Sequence, residues 1–138
     1  TVRDTNAELG ADAKLVLTEK LLTHGNQTAI SNMKVELKGE GSSVQVISRS
    51  VAQDDSVQVF NPLVIGECAC RGHVQCDAII MGNAKVKAIP GIEAASEDAM
   101  LVHEAAIGKI AGDQIVKLMT LGLTEEEAEA EILDDFLS

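Results

Sequence analysis

At 138 residues the chain has room for one domain with a modest core, and two Phe with no Trp or Tyr against 46% apolar residues make that core aliphatic. Sugar binding on aromatic faces and stacking on nucleic-acid bases are thereby disfavoured. A formal net charge of −11 further argues against DNA, RNA or anionic membrane as partners.

The charge is unevenly spread. Thr124 to Ser138 hold seven acids and no base, which leaves 15 acids against 11 bases elsewhere. The acidity belongs to one terminal helix, read either as a solvated face or as an acidic docking surface. No apolar run approaches transmembrane length and no secretory signal opens the sequence. Three cysteines, all between positions 68 and 76, fit free or metal-linked thiols in a reduced, cytoplasmic setting better than a disulfide framework.

From Ala13 to about Val102 apolar residues alternate with polar ones, the signature of half-buried strands. Leu15 and Leu17, Val35 and Leu37, Val44 and Val46, and Val57 and Val59 read as inward pairs. Turn residues fall at Gly25-Asn26, Gly39 to Ser42, Asp54-Asp55 and Gly82-Asn83. Strand centres near 36, 58, 79 and 101 recur at about 22 residues, with a second set near 46, 64 and 88 interleaved, an interval that points to a repeat architecture. A meander of hairpins, with Gly39 to Gly41 as one loop, is the rival arrangement. The aromatic-poor composition favours a β-solenoid.

Four potential soft ligands, Cys68, Cys70, His73 and Cys76, occur within nine positions. The spacing is too tight for a zinc finger, although four ligands this close, with Gly72 for flexibility, suit wrapping one ion. The alternative is that small thiols fill a thin core. His103 and Glu104 follow at the end of the strand near 101, and a carboxylate among aliphatic strands is costly to bury unless paired or bound to an ion. His103 itself reads more readily as a satisfied core histidine. His24 reads as a surface turn residue, and Arg71, Lys85, Lys87 and Lys109 as solvated, with Lys109 open to a partner contact.

After Ile110 the period becomes helical. Ile115, Val116, Leu118 and Met119 form one stripe, and Gly122 is placed to end that helix. Thr124 followed by Glu127 forms a capping box for a second helix, in which Ala128, Ile132 and Phe136 share a face. Glu125 to Glu127 suit the positive end of its dipole. The division expected is a β core over 1–110 and a helical segment over 111–138.

Gln75-Cys76-Asp77, Ala88-Ile89-Pro90 with Ile92-Glu93, His103-Glu104-Ala105 and Gly122 to Ala128 occur in a fixed order. Through them the stretch from about Val57 to Leu137 resembles the C-terminal part of the SufB/SufD proteins, scaffolds of iron–sulfur cluster assembly. The resemblance implies a mainly β fold, a right-handed parallel β-helix followed by two C-terminal α-helices. SufB/SufD proteins are usually much longer, so it also implies a C-terminal portion of a longer protein. Cys76 matches the thiol implicated in building the nascent cluster, Glu104 a proposed assembly carboxylate of SufB, and His103 a histidine given a comparable role in SufD. The implied ligands for a transient iron–sulfur cluster are Cys76, Glu104 and His103, with His73 added by its spacing from Cys76.

Three functions compete. The first is a scaffold whose helices after Gly112 dock a SufC-type ABC ATPase, and which pairs with a second SufB/SufD-like subunit as a homo- or heterodimer. The sequence G-x-x-x-x-G-K-[ST] does not occur, so ATP hydrolysis has to come from a partner. The second is a SufD-like adaptor without a cluster of its own. The third, a solenoid thiol enzyme using Cys76 and His103 as nucleophile and base, is disfavoured by the absence of hexapeptide repeats and of an aromatic substrate face. The chain is expected not to be an enzyme.

Overall fold

Alternation buries one face of each strand, and the elements that follow from it are β1 (Val2–Leu9), β2 (Lys14–Thr23), β3 (Thr28–Leu37), β4 (Ser43–Ala52), β5 (Val57–Gly66), β6 (Cys70–Ile80), β7 (Lys85–Ala88), β8 (Gly91–Ala94) and β9 (Ala99–Gly108), then α1 (Gly112–Thr120) and α2 (Glu125–Leu137). The computed structural model describes residues 1–110 and 112–138; the domain boundary expected at Ala111 lies outside them. Among the described residues all strand pairing is parallel, and no strand pairs with its sequence neighbour. β1, β3, β5 and then β7 with β8 form one sheet, and β2, β4, β6 and β9 form the other. The chain therefore crosses between two sheets at every corner and climbs as a β-solenoid of about four coils. The turn at Gly39 to Gly41 is a coil corner joining two sheets, which removes the hairpin alternative.

The coil is longer than the interval read from the sequence. Leu9 aligns with Leu37 and Thr23 with Ala52, steps of 28 and 29 residues, with two strands in each coil. The apolar residues near 58 and 64 lie in one strand, β5, so counting them as two centres shortened the apparent repeat. The parity of β5 is also reversed. Gln58, Phe60, Pro62 and Val64 are buried, while Val57 and Val59 are only partly covered. Gln58 tolerates burial because its amide donates to Thr23 Oγ1 at 2.9 Å and to the Val51 carbonyl at 3.0 Å.

The interior is thus divided. One side is aliphatic, built on Leu9, Val35, Leu37, Val46, Val64 and Val74. The other is a polar file in which Thr23 and Ser56 share a hydrogen bond of 2.9 Å and Glu19 accepts from Ser31 Oγ at 2.8 Å. On the outside of the first sheet, Asn61 donates to Asn32 and Asn32 to Asp4, both at 2.8 Å, a ladder that locks three coils in register. The ladder ends where Ile89-Pro90 splits the fourth-coil strand into β7 and β8, since proline has no N–H to offer the sheet.

The helix pair forms as the capping signals require. Gly122 has φ 99°, with its N–H donating to the Met119 carbonyl and that of Leu123 to Leu118, a Schellman closure of α1. Thr124 Oγ1 accepts from the Glu127 N–H at 3.1 Å, and the Thr124 N–H donates to Glu127 Oε1 at 3.3 Å, completing the capping box. Ala128 is fully buried, with Ile132 and Phe136 half-buried on the same stripe. Val116, Met119 and Leu121 of the α1 end stay exposed. Among the described residues no helix is long and apolar enough to cross a membrane.

Candidate metal centre

β6 and β9 are the last two strands of their sheet and pair from Cys70 with Ala99 to Ile79 with Gly108. Alternation along β6 turns Cys70, Gly72, Val74, Cys76 and Ala78 inward and leaves Arg71, His73, Gln75 and Asp77 on the outer face. The step between these strands is 29 residues, so Ala105 stands beside Cys76, Glu104 beside Gln75 and His103 beside Val74. His103 consequently shares the inner face with Cys76, while Glu104 lies on the outer face.

Cys76 is 1% exposed and continues an inward file whose register partners are Glu19, Ser48 and Ala105. Burial, reinforced by Asp77 and Glu19, pushes its thiol up to about 11. A small enclosed space bounded by Glu19, Ser31, Ser48, Gln58, Phe60 and Cys76 adjoins that sulfur, with Leu21, Val59 and Val86 on its apolar side. His103 is diagonal to Cys76 across the strand pair, and its Nε2 is buried with no hydrogen-bond partner among the described residues. Burial, then the neighbouring His73, hold its imidazole below the ordinary histidine range and therefore neutral near pH 7. A neutral ring nitrogen without a partner retains its lone-pair or N–H capacity for a ligand.

On the outer face His73 Nε2 lies 3.3 Å from Glu104 Oε2, with the carboxylate side chain 64% exposed. Beside them Gln75 Nε2 donates to Asp77 Oδ2 at 2.8 Å. The structure therefore brings the four sequence-chosen residues to one strand pair but sorts them by face, Cys76 and His103 inside and His73 paired with Glu104 outside. Among the described residues no three His, Cys, Asp or Glu side chains converge on a single point. The inner couple offers a soft thiol and an imidazole; the outer offers an imidazole and a harder carboxylate, open to solvent.

The cluster read as one ion-wrapping loop is likewise divided. Cys68 sits at the corner before β6, Cys70 is the first inward residue of that strand, and His73 faces out. Glu19 escaped notice in the sequence, although its position between Leu17 and Leu21 on the inward parity of β2 marks it as a buried acid. It is 5% exposed and accepts from Ser31 and from Arg3 Nη1 at 3.1 Å.

A parallel β-solenoid of about four coils, with an interior thiol and imidazole on its last two coils and two helices after it, sets the fold class of the chain. The sequence profile described as SUF system FeS cluster assembly, SufBD core domain, matches residues 1–136. An iron–sulfur cluster assembly SufBD family protein of Methanothermobacter thermautotrophicus is 34% identical over 118 residues, 83% of this chain and 29% of that protein. One from Pyrococcus horikoshii is 36% identical over 124 residues, covering 88% of this chain and 38% of the relative. One from Archaeoglobus fulgidus is 29% identical over 127 residues, covering 91% and 34%. The chain belongs to the SufBD family of iron–sulfur cluster assembly proteins. It spans less than two fifths of the length of these relatives.

Proposed function

We propose that this chain is a scaffold of SUF-type cluster assembly that holds iron and sulfide transiently at the β6–β9 pair. Cys76 and His103 act as the soft inner ligands, and His73 with Glu104 receives iron on the outer face. The observation that carries this reading is the inward Cys76 set diagonally to a buried, unpartnered His103 nitrogen on the last coil. Each couple supplies two ligands, which leaves coordination positions for sulfide and for side chains of a second SufB/SufD-like subunit. The edge of β9, unpaired among the described residues, suits that pairing, because an unpaired strand edge is a template for another chain. The exposed apolar end of α1 and the acidic α2 suit docking of a SufC-type ATPase, which would supply the hydrolysis this chain has no P-loop to perform. The chain itself turns over no substrate in this reading.

The test is anaerobic reconstitution with iron and sulfide, read by visible absorption. Cys76→Ala and His103→Ala each lose most of the signal, and Glu104→Ala loses a part through slower iron uptake. Equal absorption in the wild type and all three variants would refute the assignment. A SufD-like adaptor is the second reading, favoured by the deep burial of Cys76; under it the wild type develops no absorption either.

A further inference from the structure

Cys68 and Cys70 are left over once the inner couple is assigned. Cys76 lies six residues further along the same strand, about 20 Å away at strand rise, so neither belongs to its site. Two independent contacts hold their sulfurs against neighbouring positions on adjacent strands. Cys68 Sγ donates to the Leu37 carbonyl at 3.6 Å, and Cys70 Sγ stands 2.9 Å from where a side-chain carbon on Gly66 would be. Leu37 and Gly66 are register partners on β3 and β5, so these anchors are about one strand spacing, 4.8 Å, apart. Cys68 also packs against the aliphatic cluster that holds Cys70 and Leu37. Gly66 permits this close approach of Cys70, since a side-chain carbon there would also meet Ala99 Cβ at 2.9 Å.

We infer that Cys68 and Cys70 form a two-thiol site for a soft, low-coordinate monovalent cation of the copper(I) class. The ligand number decides the ion. Structural zinc takes four ligands and calcium six to eight oxygens. Two thiolates instead suit a soft monovalent ion content with two soft donors. Binding displaces both thiol protons: M⁺ and two R–SH give [M(SR)₂]⁻ and two H⁺, with no change of oxidation state. The product carries one negative charge. Lys14 and Arg71 line the groove beside Cys70 and offset that charge, against Asp98 on the same groove and Glu40 near Cys68. Access is through Cys68, which is only partly covered, whereas Cys70 is buried.

The experiment titrates the full chain anaerobically with copper(I) against a chromophoric copper(I) chelator, reading equivalents bound and thiolate-to-copper ultraviolet absorption. The wild type and Cys76→Ser each take one equivalent with the charge-transfer band. Cys68→Ser loses the band and competes more than about 100-fold less well, beyond what loss of an outer-shell partner costs. Cys70→Ser behaves alike if its circular dichroism is native. Should Cys70→Ser not fold, Cys68→Ser, at its half-covered corner, is the deciding variant. The inference is overturned if the wild type takes no equivalent, if Cys68→Ser keeps one, or if Cys76→Ser loses it. The first two outcomes leave the iron and sulfide reading untouched, because Cys68 and Cys70 are not among its residues.

Discussion

A thiolate is the form of cysteine that binds metal and attacks electrophiles, yet burial holds Cys76 as a thiol up to about pH 11 against an ordinary 9.0. The shift lowers the thiolate fraction at pH 8 about 100-fold relative to the unfolded chain. Iodoacetamide modification of Cys76 in the folded chain is therefore expected to run at least about 100-fold slower at pH 8 than in denaturant, and to accelerate as pH rises towards 11. Mass spectrometry of the Cys76 peptide checks this, and folded-state labelling as fast as in denaturant would mean that the sulfur is not enclosed. The same burial explains what sequence reading misses at this scale. Cys76, His103 and Glu104 were legible as chemistry-bearing residues, but their faces were not. With a 29-residue step Ala105 stands beside Cys76 and Glu104 points out; with a 28-residue step Glu104 would have pointed in. Steps of both lengths occur in this chain, and composition does not distinguish them.

Among elements, the helix pair was the part most readable from sequence, because its signals act within four residues. Thr124, Glu127 and Gly122 do locally what the pattern requires. Strand β5 was the least readable, because Gln58 points inward only by virtue of Thr23 and the Val51 carbonyl, which belong to other strands. The local nature of the cap makes a sharp expectation. Thr124→Ala removes the acceptor for the Glu127 N–H and costs about 1 kcal/mol of helix stability. Hydrogen exchange should speed up across α2 (Glu125–Leu137), with protection in β3 to β6 unchanged. Equal loss of protection in the sheets would mean that the helices are integral to the rod.

At the scale of the whole molecule the rod is quasi-one-dimensional, since each coil packs only against the next and damage should stay near its origin. Two glycines test this at different depths. At Gly39 an added side-chain carbon would run into the Ala11 backbone nitrogen and the Gly10 carbonyl carbon, so two corners would have to separate. At Gly72 the nearest atom is the Leu101 side-chain tip at 2.8 Å, followed by Val64 Cγ1 at 3.1 Å, and such groups can shift. Gly39→Ala is expected to cost about 3 kcal/mol or more as an overpacking change, and Gly72→Ala about 1 kcal/mol. The distribution of the loss matters more than its size. Exchange measured residue by residue should show Gly39→Ala loosening β1 to β4 while β6 and β9, which carry Cys76 and His103, remain protected. Uniform loss of protection along all four coils would show instead that the rod unfolds as one cooperative unit, and the candidate centre would then depend on corners two coils away.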